Sequence, residues 1–170
     1  VNELNRAFLA LGSNIEPEKH LPWAVQKLAE YGTVSCKSSV WQSAPAGYTE
    51  QPDFLNAAVL LETDKDAFQI CHEIVPIIER ELKRVRDPLN KNGPRTIDID
   101  LVLFNSDQLQ VEHRIIPDPE IDQRVFLAVP LAELSPDYLL PGQNRSLAAI
   151  AEELSKHNQS GFVRREDICL

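Results

Sequence analysis

Apolar residues recur along this 170-residue chain in two rhythms, and the switches between them mark out its elements. Residues 6–13 hold the run Ala7-Phe8-Leu9-Ala10-Leu11 and end on Gly12-Ser13-Asn14, a buried strand closed by turn chemistry. Over 16–31, Leu21, Ala24, Val25, Leu28 and Ala29 fall at helical spacing, with Pro17 in the first turn and Gly32 as the stop. Residues 33–43, rich in Val, Ser and Thr with Trp41, predict one strand. Pro45, Gly47 and Pro52 make 44–52 a loop, and 54–63 is a further strand. Asp64 is then expected to cap a helix running to about Lys83. Its apolar stripe is Phe68, Cys71, Ile74, Val75, Ile78 and Leu82, and Pro76 inside it predicts a kink.

A loop over 85–95 leads into 96–104, where alternation at period two is the strongest strand signal of the chain. Residues 105–107 are expected to turn that strand back into 109–111 as a hairpin. A loop opens at 117–119. Helices follow over 122–134 and 146–156, the second capped by Ser146, and a polar, loose tail comes after His157. The order β-α-β-β-α-β predicts an α+β fold with a ferredoxin-like core: an antiparallel sheet, two helices on one face and the other face open for a site. A hairpin strand and C-terminal helices are added to that core. Residues 1–157 read as a single domain and 158–170 as the tail.

Composition supports a globular chain, with 43% apolar and 25% charged residues and no apolar run long enough to cross a bilayer. Cys36, Cys71 and Cys169 form no CxxC pair and no disulfide framework, which points to a reducing, cytoplasmic setting. The net charge of −9 argues against a general nucleic-acid binder. Yet six of the 17 basic residues crowd into 80–95, as Arg80, Lys83, Arg84, Arg86, Lys91 and Arg95, opposed there by Glu81 and Asp87 alone. An acidic chain with one basic stretch suits a compact anion such as a polyphosphate. A solvated helix face with a basic last turn is the plainer account.

The sharpest chemistry lies in Thr96-Ile97-Asp98-Ile99-Asp100-Leu101. Alternation sends Ile97, Ile99, Leu101 and Leu103 toward the helices and turns Asp98 and Asp100 together toward the other face. Two neighbouring carboxylates repel each other, and a hard divalent cation such as Mg²⁺ or Mn²⁺ between them relieves that repulsion. Arg84, Arg86, Lys91 and Arg95 just upstream add forks for phosphate oxygens, so the pair and the cluster together fit a metal–polyphosphate complex. Internal Arg–Asp ion pairs are the competing account. With six glycines and no P-loop, a nucleotide has no backbone cradle to rest on. Phe54 and Asn56 share a face in Gln51-Pro52-Asp53-Phe54-Leu55-Asn56, where a ring and an amide can stack on a flat heterocycle and read its edge, or serve as core and strand end. His20, His72, His113 and His157 are scattered and read as surface or helix histidines, without a zinc spacing. On these residues alone, a metal-dependent phosphohydrolase and a non-catalytic ferredoxin-like ligand-binding module both stay open.

Four stretches taken together closely resemble the 6-hydroxymethyl-7,8-dihydropterin pyrophosphokinases, a family of folate-biosynthesis enzymes. They are Leu11-Gly12-Ser13-Asn14; Gln51 through Asn56-Ala57-Ala58; Glu79 through Arg84-Val85-Arg86 with Gly93-Pro94-Arg95-Thr96-Ile97-Asp98-Ile99-Asp100; and Arg124-Val125-Phe126 with Pro130-Leu131. The resemblance covers residues 6–155. It implies pyrophosphate transfer from ATP to the pterin hydroxymethyl group with release of AMP, and two Mg²⁺ ions on Asp98 and Asp100. It implies that Arg84 and Arg95 act with those acids in catalysis. It places Glu79, Arg84, Arg86, Lys91, Arg95, Arg114 and Arg124 around ATP, and Ser43, Ala44, Ala46, Phe54, Asn56 and Phe126 around the pterin. Asp118 and Asn92 depart from the family pattern, standing where many members have His and some have Trp. The expected partners are thus ATP and a reduced pterin, with neither nucleic acid nor membrane. The chain is expected to act as a cytoplasmic monomer linked in function to other folate enzymes.

Overall fold

The computed structural model describes residues 3–157 and 161–170. Along the chain run β1 (Asn5–Ser13), α1 (Pro17–Leu28), β2 (Thr33–Lys37), β3 (Val40–Ser43), β4 (Phe54–Thr63), α2 (Ala67–Gln69), α3 (Val75–Glu81), β5 (Asp98–Phe104), β6 (Leu109–Val111), β7 (Arg114–Ile116), α4 (Val125–Leu134), α5 (Leu147–His157) and β8 (Val163–Arg165). The main sheet has the order β5-β1-β4-β3-β8, with β2 also paired to β4, and all of its pairings are antiparallel. This is the ferredoxin-like α+β core expected from the element order.

The expected strand over 33–43 is two strands. Ser38 interrupts it, and its hydroxyl accepts the Ala58 N–H at 2.8 Å, so the break is sealed by a side chain. The long helix starts later than expected. Asp66, rather than Asp64, caps it in a reciprocal capping box with Gln69. Pro76 does not simply kink it. Residues 70–74 form a π turn in which Val75 N–H reaches back to the Ile70 carbonyl, which puts Pro76 in the first turn of α3, where its missing N–H costs nothing.

The expected hairpin between 96–104 and 109–111 does not form. β6 pairs instead with β7, as a separate two-stranded sheet turned at Glu112, whose φ is 54°. Leu103 is a second correction. The register of β1 against β5 shifts between Phe8 and Leu9, skipping Val102, and Leu103 joins the core opposite to that of Ile97, Ile99 and Leu101.

The largest correction concerns the layers. α1 and α2–α3 bury Leu9, Leu11, Val59 and Leu61 on one face of the sheet, as expected. The other face is covered too: α4 and α5 pack Leu127, Leu131, Leu147 and Ile150 onto Phe8, Ala58 and Leu60. Only the end of that face beside Gly12, Asn56 and Asp98 is left for a site. Nor is the tail loose where it is described. β8 pairs with β3, Phe162 stacks on Trp41 with ring centroids 4.7 Å apart, and Lys37 Nζ donates to the Leu170 carbonyl. The expectation for 158–160 lies outside the described residues. No helix among the described residues is long and apolar enough to cross a membrane.

Candidate active site

The site is built from one row of residues across three strands. Gly12 of β1 lies opposite Asn56 of β4 on one side and Asp98 of β5 on the other. One step along, Ala10 lies between Ala58 and Asp100. The two small residues on the central strand leave a floor between the amide and the carboxylates. A methyl at position 12 would lie 3.7 Å from Asn56 Oδ1, filling space over that floor. Asn56 is buried. Its Nδ2 donates to Ser43 Oγ at 2.8 Å and to the Trp41 carbonyl at 3.3 Å, so Oδ1 is left as the acceptor.

Asp98 and Asp100 face the same way, as alternation predicts, and the arginine pairing weighed against metal binding is also present. Arg84 Nη1 donates to Asp98 Oδ1 at 2.7 Å, Arg95 Nη1 to Asp98 Oδ2 at 3.4 Å, and Arg114 Nη2 to Asp100 Oδ1 at 2.7 Å. Arg84 also bonds Glu79, and both of those side chains are only 8% exposed. Burial first, and the neighbouring Asp98 next, push the Asp100 carboxyl up to about 7 against the pull of Arg114. Burial likewise raises Glu79, which Arg84 and Arg86 only partly offset. For Arg84, burial pulls downward, but Asp98 and Glu79 outweigh it. Its Nε is buried without a hydrogen-bond partner, a donor still unspent.

Two cavities meet at the acids. One, of about 440 Å³, is walled by Cys71, His72, Pro76, Val111, Glu112 and Arg114. The other, of about 240 Å³, is lined by Ser43, Ala44, Ala46, Phe54, Asn56 and Phe126, with Gly12, Asn92, Arg95 and Glu120. Asp98 and Asp100 are the two residues that line both. A third hollow, of about 640 Å³, runs beneath the loop that carries Arg84, Arg86, Lys91 and Arg95. Asn14 ties these parts together. It exchanges backbone and side-chain hydrogen bonds with Arg95 at 3.1 and 2.9 Å, and its Nδ2 donates to Gln51 Oε1 and the Pro52 carbonyl. Gln51 in turn donates to the Asn92 carbonyl at 2.6 Å.

All six residues expected around a flat heterocycle thus lie in one cavity. Of those expected around a polyphosphate, Glu79, Arg86 and Arg114 line the larger cavity. Arg84, Lys91 and Arg95 line the hollow beside it. Arg124 lines none of the three; it sits 3.9 Å from Glu120 on the rim. Sequence reasoning missed Asn14, Gln51, Cys71 and Glu112. It took His72 for a surface or helix histidine, whereas His72 stands in the wall of the larger cavity. Only Asn14 and Gln51 carried a signal, each lying in a stretch that carries the family resemblance.

A ferredoxin-like sheet that carries paired carboxylates into a cluster of guanidinium groups, between a polar cavity and an aromatic one, defines a phosphate-handling transferase. Residues 8–136 match the family model described as 7,8-dihydro-6-hydroxymethylpterin-pyrophosphokinase (HPPK), and the chain belongs to that family. Among its relatives are two proteins named 2-amino-4-hydroxy-6-hydroxymethyldihydropteridine pyrophosphokinase. The Bacillus subtilis one is 41% identical over 133 residues, covering 76% of this chain and 78% of its own length. That of Methylorubrum extorquens is 36% identical over 166 residues, covering 96% and 100%. A crystal structure of Plasmodium falciparum HPPK-DHPS shares the fold with a TM-score of 0.71 at 14% identity, over 92% of this chain. This chain spans 45% of that longer one.

Proposed function

We propose that this chain transfers pyrophosphate from ATP to the hydroxymethyl group of 6-hydroxymethyl-7,8-dihydropterin, giving the pterin diphosphate and AMP. The observation that carries the reading is the sharing of Asp98 and Asp100 by two cavities of different chemistry, one polar with arginines and one aromatic. Two substrates bound in them bring their reacting atoms together at the acids. That converts an encounter of two molecules into a step within one complex.

The residues fit Mg²⁺, the ion expected with ATP. Two hard carboxylates converge on one spot, and the raised Asp100 marks a negative charge that a cation relieves. Among the described residues no cluster of three or more His, Cys, Asp or Glu could hold a metal alone, so Asp98 and Asp100 would hold the ion as a pair, with the substrate present. Bound by Asp98 and Asp100, Mg²⁺ supplies charge neutralisation on the phosphate oxygens. Two such ions, as the resemblance implies, belong to the same reading.

Phe54 and Phe126 hold the pterin ring between them. Asn56 Oδ1 accepts from its N–H edge, and the backbone at Ser43, Ala44 and Ala46 closes the rim. Arg84, Arg86, Lys91, Arg95 and Arg114 grip the phosphates, Arg124 joins them from the rim, and Glu79 fixes Arg84 in place. The hydroxymethyl oxygen then bonds to the β-phosphorus as the bond from that phosphorus to the α,β-bridging oxygen breaks. AMP leaves with that oxygen, and the proton given up by the hydroxyl is taken up by the departing AMP phosphate. The loops tied through Asn14 and Gln51 exclude water, which would otherwise take the pyrophosphate.

AMP release from ATP, measured with and without the hydroxymethyldihydropterin, tests the reading. Release that depends on the pterin supports transfer, whereas equal release without it means a phosphohydrolase. Asp100→Ala is expected to lower turnover by at least a thousandfold, on the order of several kcal/mol, while pterin still quenches or shifts the fluorescence of the protein on binding. Wild-type turnover by that variant would remove the acids from the mechanism.

A further inference from the structure

The tail takes hold of β3, a strand with little to hold itself. β3 spans Val40–Ser43, below the usual strand length of about five or six residues. It is broken from β2 at Ser38 and runs out into the loop over 44–52. Its side chains alternate between faces, and the tail grips one on each. On one face Phe162 stacks on Trp41 with the rings 5° from parallel, and Glu133 of α4 accepts the Trp41 indole N–H at 2.5 Å. On the other, Arg165 Nη1 donates to Gln42 Oε1 at 3.1 Å, and Gln42 Nε2 donates to Asp53 Oδ2 at 2.8 Å. Asp167 accepts two hydrogen bonds from the same guanidinium, at 2.9 and 2.8 Å, which fixes its direction. Between the two grips the backbones pair from Val40–Arg165 to Gln42–Val163. Ile168 and Leu170 pack against the first core layer and anchor the far end.

What β3 carries is the support of the aromatic cavity. Asn56 Nδ2 donates to the Trp41 carbonyl and to Ser43 Oγ, both on β3, so the direction of its Oδ1 follows that strand. Ser43 opens the rim that continues through Ala44 and Ala46. Asp53, at the end of the Arg165–Gln42 chain, immediately precedes Phe54. We propose that the C-terminal tail positions the pterin side of the site, with Phe162 and Arg165 as its positioning residues. This rests on the transferase reading of that site. Both stand outside the cavity lining and act through Trp41 and Gln42 on Asn56, Asp53 and the rim. A small displacement of groups that orient a substrate is costly, because the reacting atoms must already be aligned. Asp98 and Asp100 lie on β5, at the opposite edge of the sheet from β8. The tail therefore tunes one substrate and leaves the other.

The test uses the full chain as wild type, Phe162→Ala, Phe162→Tyr, Arg165→Ala and Arg165→Lys. Calorimetry gives the dissociation constants of ATP and of the hydroxymethyldihydropterin, and the pterin-dependent assay gives both KM values. Amide hydrogen exchange is followed over 40–46 and 85–95. Phe162→Ala and Arg165→Ala are each expected to raise the pterin constants about fivefold with the ATP constants unmoved. Exchange over 40–46 should quicken in both while 85–95 stays as in wild type. Phe162→Tyr keeps the ring and should restore the pterin constants; Arg165→Lys keeps the charge without the fork and should restore them only in part. Pterin and ATP constants that rise together make the tail a general brace of the fold and overturn the proposal. Pterin constants unmoved in both alanine variants overturn it as well, and leave the transferase reading intact. If wild type shows no pterin-dependent AMP release, the transferase reading fails, and exchange over 40–46 still decides whether the tail holds β3.

Discussion

Single polar side chains hold distant parts of this molecule together. Asn14, buried at the end of β1, satisfies the backbone of Arg95 with one end of its amide and the loop at Gln51-Pro52 with the other. Asn14→Ala strands those groups, so unfolding free energy is expected to fall by about 1–3 kcal/mol. The KM for both substrates should rise, because both loops lose their common anchor; urea titration and steady-state kinetics check the two effects. Tyr138 makes a pH prediction. Its hydroxyl donates to the Asn105 carbonyl at 2.6 Å, and burial, then Asp107, push it up to about 12 against Arg6. Below the ordinary phenol value of about 10 both folded and unfolded chains keep the proton, and stability does not respond. Between about 10 and 12 the unfolded chain ionises first, so stability falls as pH rises. Tyr138→Phe should flatten that alkaline slope in urea midpoints. An unaltered slope would place the cause elsewhere.

Elements whose own residues determine them were legible, and elements that borrow their stability were not. Residues 54–63 read as a strand and are β4, because a run of apolar residues between polar breaks needs no help from afar. Ser146 read as a cap, and its Oγ accepts from Ala149 N–H at 3.1 Å. By contrast, β8 is Val-Arg-Arg, with no apolar alternation. It exists because the edge of β3 offers its backbone and Phe162 finds the face of Trp41. Phe162→Ala is accordingly expected to cost about 0.5–1.5 kcal/mol beyond lost burial and to change the Trp41 emission. If neither midpoint nor emission moves, the stack is not what docks the tail. The π turn was illegible for a similar reason. Pro76 announces a disturbance of the helix, but its resolution as a bulge depends on how Ile70, Ile74 and Ile78 seat in the core.

At the scale of the whole molecule the sheet is buried on both faces, and this confines the site to one end. Leu131 lies fully buried in the second layer, against Phe8 and the α5 residues. Leu131→Ala is expected to remove about 2–5 kcal/mol of stability by leaving a cavity, with the ATP KM retained because the π turn lies on the opposite layer. A differential scan with nucleotide titration would show whether the two layers are this independent. The two-layer plan also explains why the acids are placed at a junction. β5 is an edge of the main sheet, so one side of its carboxylates faces the row from Gly12 to Asn56, and the other faces α3 and the β6–β7 hairpin.

Sequence by itself determined what depends on neighbours along the chain. Alternation set Asp98 and Asp100 on one face, the element order set the ferredoxin-like core, and residue types marked Phe54, Asn56 and the arginine stretch as chemistry. Tertiary structure alone decided what depends on residues far apart in number: the arginine held by each acid, the strand that β6 joins, the second covered face, and the docking of the tail on β3. The physical reason is that backbone periodicity fixes the direction in which a side chain leaves its own element. What it meets there is set by the packing of other elements, through register shifts, bulges and loop anchors that no local pattern encodes.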